Sequence, residues 1–197
     1  MEKAALAVSR QLLLHPPRDA VVLVGPGHNG GDGLVIAREL HLAGIPVRIW
    51  CPFARTKPLT EAHLNHALWL GIPRLESAPD PREGALWMDA LFGIGQTRRP
   101  GEEIETLLDQ RQRMRPGELH AIDVPTGLCA DTGLLLGRVA AQASRTWCLG
   151  LRKRGLLQSG ALRWVGELTR LDLGLPKRLL EDLPRSEEHT SELQSHS

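Results

Sequence analysis

The chain has 197 residues, 42% hydrophobic and 24% charged, a composition that excludes a disordered segment and fits one domain, or one and a piece. Twenty-four Lys and Arg against 23 Asp and Glu give a formal charge of +1, so no global field exists to recruit nucleic acid or an anionic membrane. No apolar run approaches the roughly 18 residues of a membrane span, no signal-peptide pattern is present, and Cys51, Cys129 and Cys148 show no C-x-x-C spacing, so a reducing, cytoplasmic setting is expected.

In chain order, VVLVGP at 21–26 reads as a strand, a glycine-rich turn follows, and GLVIARELHLAG at 33–44 is apolar at helical period. VRIWCP at 47–52 is the second strand, and LTEAHLNHALWLG at 59–71 is a helix stopped by Gly71. ALWMDALFG at 85–93 is a third strand and EEIETLLDQRQR at 102–113 a helix. HAIDVP at 120–125, SRTWCLGL at 144–151 and ELTRLDLG at 167–174 complete six expected strands. The alternation predicts an α/β fold, a mostly parallel sheet covered on both faces in a Rossmann-like α/β/α sandwich.

Strands buried on both faces should be continuously apolar, which makes Asp89 and Asp123, each near the carboxyl end of its strand, informative. Ligands bind at that edge of an open α/β sheet. The ordinary role of one such aspartate is to cap a nearby amide; two beside a glycine-rich first turn point to a site, because buried charge is costly without a partner or a task. Gly25-Pro26-Gly27-His28-Asn29-Gly30 matches G-x-G-x-x-G, but the ribose-binding acid due about 20 residues on is absent, with Cys51 and Pro52 in its place. That argues against a hydride-transfer dehydrogenase. His63 and His66 share a helical face without a third metal ligand and read as solvated histidines.

GPGHNGGDGLVIAREL, DALFGIG, DVPTGLCADTG and the K-x-G-L of Lys153 to Leu156 occur in an order that resembles the NAD(P)H-hydrate epimerase family, the YjeF N-terminal domain, over residues 1 to 176. The resemblance implies a Rossmann-like domain that interconverts the R and S epimers of hydrated NADH and NADPH in nucleotide repair. It is similar to the N-terminal part of a bacterial bifunctional repair enzyme, and implies a dehydratase, fused or separate, as partner, and a homodimer by analogy. By matched position, His28, Asn29, Gly30, Gly31, Asp32, the stretch Gly93, Ile94, Gly95, Gln96, Thr97, Arg98 and Arg99, and Asp123 are implied to contact the substrate. Asn29, Asp89 and Thr126 are implied to hold potassium (K+), and all three supply the oxygen donors that hard cations prefer. His28 stands where asparagine is usual and Thr126 where serine is usual; both keep a hydrogen-bonding edge.

The substrate ring carries a hydroxyl on a carbon next to nitrogen, so its configuration inverts by loss of water to an iminium-like cation and return of water. Such a step needs an acid, a base and negative charge, and Asp123 is expected to supply all three. The alternative of another class is a non-catalytic binding or dimerisation module, which would be expected to lose these residues. The start at Met1 is expected to lack a further helical segment usual in relatives. The stretch 185–197, RSEEHTSELQSHS, resembles a translated sequencing adapter and is expected to be non-native; the remaining 184 residues hold 23 basic and 20 acidic side chains, net +3, which suits an anionic nucleotide.

Overall fold

Val21, Val22, Leu23 and Val24 have no solvent exposure on either side, as a parallel strand sandwiched between helices requires. The computed structural model describes residues 2–115, 119–176 and 178, so the stretch 185–197 lies outside the described residues. Its elements are α1 (Glu2–Leu12), β1 (Ala20–Val24), α2 (His28–Leu42), β2 (Val47–Trp50), α3 (Pro58–Trp69), β3 (Arg74–Leu75), β4 (Leu86–Ala90), α4 (Glu102–Met114), β5 (Leu119–Ile122), β6 (Arg145–Leu149), α5 (Leu162–Val165) and β7 (Glu167–Leu171). Six strands fall where the sequence placed them. The two-residue β3 and the helix α1 were not anticipated.

All seven strands pair in parallel in the order β3-β2-β1-β4-β5-β6-β7. Alternate residues of β1 feed opposite layers. Ala20, Val22 and Val24 join a core with α1, α2 and α3, whereas Val21 and Leu23 join one with Ile104, Leu107 and Leu108 of α4. These are the three layers of an α/β/α sandwich. On α1 the buried residues Ala4, Ala5, Val8 and Leu12 form one stripe, and Arg38 of α2 pairs with Glu2 at 3.0 Å.

The chain leaves β1 toward β2 and β3, then returns to lay β4 on the other side of β1. A crevice opens beyond the carboxyl ends of β1 and β4, the switch point where doubly wound sheets bind ligands. Gly71, expected to stop α3, has φ +85° and donates to Leu68 O, the left-handed residue that ends a helix. No helix among the described residues is long and apolar enough to cross a membrane.

Candidate active site

The glycine-rich segment is not a loop over its full length. Helix α2 begins at His28, so Asn29, Gly30, Gly31 and Asp32 form its first turn, five residues before the start expected at Gly33. Close approach explains the glycines. A Cβ on Gly25 would lie 1.5 Å from Leu91 O, and one on Gly30 would lie 2.0 Å from Gly25 O. The start of α3 braces the turn, with Thr60 Oγ1 donating to Gly27 O at 2.9 Å and Lys57 N to Pro26 O at 2.8 Å.

Beneath that turn lies a fully buried knot of oxygens. Asp89 Oδ1 accepts from Thr126 Oγ1 at 2.7 Å and Leu91 N at 3.3 Å, and Oδ2 accepts from Thr126 N at 2.8 Å. Thr126 Oγ1 in turn accepts from Phe92 N at 3.3 Å. Asp89 therefore caps backbone amides, the ordinary role of such a residue, and no cationic side chain pairs with it among the described residues. Burial pushes its carboxyl up to about 6 against the pull of these hydrogen bonds. Asn29 leans over Gly93, where a Cβ would lie 3.2 Å from its Oδ1, and its Nδ2 is buried without a hydrogen-bond partner among the described residues.

Asp123 follows β5 with φ +69°, the one non-glycine residue with positive φ among those described. Its amide donates to Trp147 O at 2.9 Å, and its Oδ1 accepts from Leu149 N at 3.2 Å and forms an ion pair with Lys153 Nζ. Lys153 Nζ also donates to Leu149 O at 3.1 Å, and each side chain of the pair is only 10% exposed. Asp32 stands in a different environment. Its Oδ1 is buried without a hydrogen-bond partner among the described residues; burial, reinforced by the charge of Asp123, pushes its carboxyl up to about 7.

A cleft of about 430 Å³ at the switch point collects His28, Asn29, Asp32, Gly93, Ile94, Gly95, Gln96 and Asp123, together with Lys57 and Leu149. Thr97, Arg98 and Arg99 line an adjoining cleft, shared through Gly95 and Gln96 and completed by Arg55. Gly30 and Gly31 are buried and line neither. Gln96 ties the loop down, accepting from Gly127 N at 2.8 Å and donating to Leu128 O at 3.3 Å. Arg99 is held by the fully buried Glu105 at 2.6 Å, and Arg138 N donates to the same carboxylate at 2.9 Å. Burial alone would raise that carboxyl; the hydrogen bonds and the two guanidinium groups keep it below its ordinary value.

Sequence reasoning attached no role to Lys153, although the K-x-G-L block marked it, and nothing marked Lys57. No group of three or more His, Cys, Asp or Glu suited to a metal occurs among the described residues, and His63 and His66 stay outside both clefts. The model of the family described as YjeF-related protein N-terminus matches residues 1–155.

The chain belongs to that family. It is 42% identical to the bifunctional NAD(P)H-hydrate repair enzyme Nnr of Gloeobacter violaceus over 97% of this chain, but spans only 38% of that relative's length. It is 34% identical to the NAD(P)H-hydrate epimerase of Oenococcus oeni, covering 89% of this chain and 85% of that one. The crystal structure of the yeast protein ynu0 (YNL200c) superposes with a TM-score of 0.65 at 23% identity, over 85% of this chain and 73% of that one. That crystal structure shares the fold described above.

Proposed function

We propose that this chain interconverts the R and S epimers of hydrated NADH and NADPH, an isomerase of nicotinamide nucleotide repair. The observation that carries the reading is the opening of two carboxylates, Asp32 and Asp123, on one cleft at the sheet's switch point. The names of the relatives above, epimerase and repair enzyme, support it.

The chemistry is loss and return of water at a carbon bonded to nitrogen. The leaving hydroxyl takes a proton, the ring nitrogen's lone pair forms the C=N bond as the C–O bond breaks, and a planar cation results. Water adds to either face and sheds a proton. Asp123, fixed by Lys153 and Leu149 N, stabilises the cation electrostatically in a partly closed cleft. The phosphates lie against the first turn of α2, where helix N–H groups are free of intrahelical partners, and toward Arg98.

Asn29, Asp89 and Thr126 would hold potassium. A buried carboxylate with no cationic side chain against it among the described residues fits such an ion, and the side chains of Asn29, Asp89 and Thr126 each offer an oxygen. The ion would supply positive charge that balances Asp89. The reading further places the chain in the cytoplasm, as a homodimer, with a fused or separate dehydratase consuming the S epimer.

The test is incubation of the purified chain with separated R-hydrated NADPH, followed by chromatography. Formation of the S epimer well above the spontaneous rate is expected, and a folded chain that leaves that rate unchanged refutes the function.

A further inference from the structure

Resting on that reading, we propose that the two carboxylates divide the work: Asp32 carries the proton, while Asp123 remains an ionised counter-charge on Lys153. The sequence pattern offered one carboxylate for both tasks. The structure gives the two very different surroundings.

Asp123 Oδ1 already receives the Leu149 amide and the Lys153 ammonium, so its charged form is the one its neighbours satisfy. Protonating it would strand Lys153, which is 90% covered and among the described residues has only the Leu149 carbonyl besides. Asp32 is the reverse case. Its Oδ1 is buried and receives no hydrogen bond from any described residue, so its neutral form is the inexpensive one until a ligand hydroxyl arrives. A carboxyl that is neutral near pH 7 donates a proton, and one fixed as an anion does not.

The charged and titratable groups around Asp32 are His28 one turn earlier on α2, Lys57 from the connection before α3, and the Asp123–Lys153 pair across the cleft. Burial is the largest influence on the Asp32 carboxyl, and the Asp123 charge acts in the same direction. In the reaction Asp32 gives its proton to the substrate hydroxyl, the C–O bond breaks, and water leaves behind the ring cation and the Asp32 carboxylate. Asp123 faces that cation throughout. Water then adds to the cation, and the proton it sheds returns to Asp32, restoring the starting state.

The experiment compares wild type, Asp32→Asn, Asp32→Glu and Asp123→Asn with separated R-hydrated NADPH across pH, with substrate affinity and folding measured for each. The wild-type rate above the spontaneous background should fall as pH rises through about 7. Asp32→Asn should lose about 100-fold or more in kcat with little change in affinity, and its remaining rate should lack that fall. Asp32→Glu should keep part of the rate with the fall moved to a different pH. An Asp32→Asn enzyme within tenfold of wild type overturns the division of work, as does a fall left in place in either Asp32 variant. A folded wild type with no acceleration overturns the epimerase reading itself and this inference with it, so the two failures are distinct.

Discussion

Lys153 Nζ binds Asp123 Oδ1 and Leu149 O together, closing an ion pair between residues 30 positions apart at the carboxyl edge of the sheet. The pair sits where backbone strain is already present, since Asp123 has φ +69° and is pinned through its amide to Trp147 O. A strained residue held by a buried cation is a fixed charge. The connection after β6 therefore sets the electrostatics of a side chain presented by β5.

Asp123→Asn keeps the shape and tolerates positive φ, but removes the charge. It should fold, melt somewhat lower because Lys153 loses its partner, and lose most epimerisation. Lys153→Met leaves the Asp123 carboxylate mostly covered with one amide donor, so it should cost about 1–3 kcal/mol and also lose most activity. Chromatographic rates and thermal melts of both variants check this; full activity in either contradicts the role given to the pair.

Asp32 should cost stability at neutral pH. Its carboxyl is raised in the fold from 3.8 to about 7, so between those values the folded chain holds a proton that the unfolded chain has lost. That contribution is present at low pH and disappears as pH rises through the window, by about 4 kcal/mol in all. Asp32→Asn should therefore be more stable than wild type at pH 8 and nearly equal to it at about pH 4, while keeping about a hundredth of the activity or less. Comparing the two at each pH cancels His120, whose burial lowers it to about 4 and which acts in the opposite direction. Denaturant melts that show no gain at pH 8 contradict the assignment.

The strands and the two aspartates were legible because a carboxylate inside an apolar run stands out. The first turn of α2 was not, since glycine's poor helix propensity makes Asn29 to Asp32 read as loop, whereas here glycine is required by backbone contact with Gly25. Ala4, Ala5, Val8 and Leu12 do repeat at helical spacing, so α1 was legible and simply not read, whereas a two-residue strand such as β3 carries no period at all. The Asp123–Lys153 contact and the division of residues 93–99 between two clefts are tertiary facts that no local pattern encodes.

Close backbone approach makes the glycines unequal. Gly30→Ala would drive a methyl to 2.0 Å from Gly25 O and should cost about 3 kcal/mol or prevent folding. Gly27→Ala meets nothing within 4 Å and should change stability by well under 1 kcal/mol. Equal melting of the two variants contradicts the packing described for the first turn of α2.

Potassium should stabilise wild type by about 2.7 kcal/mol at a concentration 100 times the dissociation constant, and so raise its thermal midpoint. Thr126→Val keeps the shape but removes the hydroxyl that donates to Asp89, so it should abolish the potassium response and cost about 1–3 kcal/mol. A midpoint that rises equally in both proteins places the ion elsewhere.

The central claim, inversion by loss and return of water in this cleft, is tested most directly by epimerising R-hydrated NADPH in water labelled with heavy oxygen. The S epimer should form well above the spontaneous rate and carry the label at the inverted carbon, and Asp123→Asn should abolish both. An unaccelerated reaction with folded protein, or an S epimer that retains its original oxygen, contradicts the account.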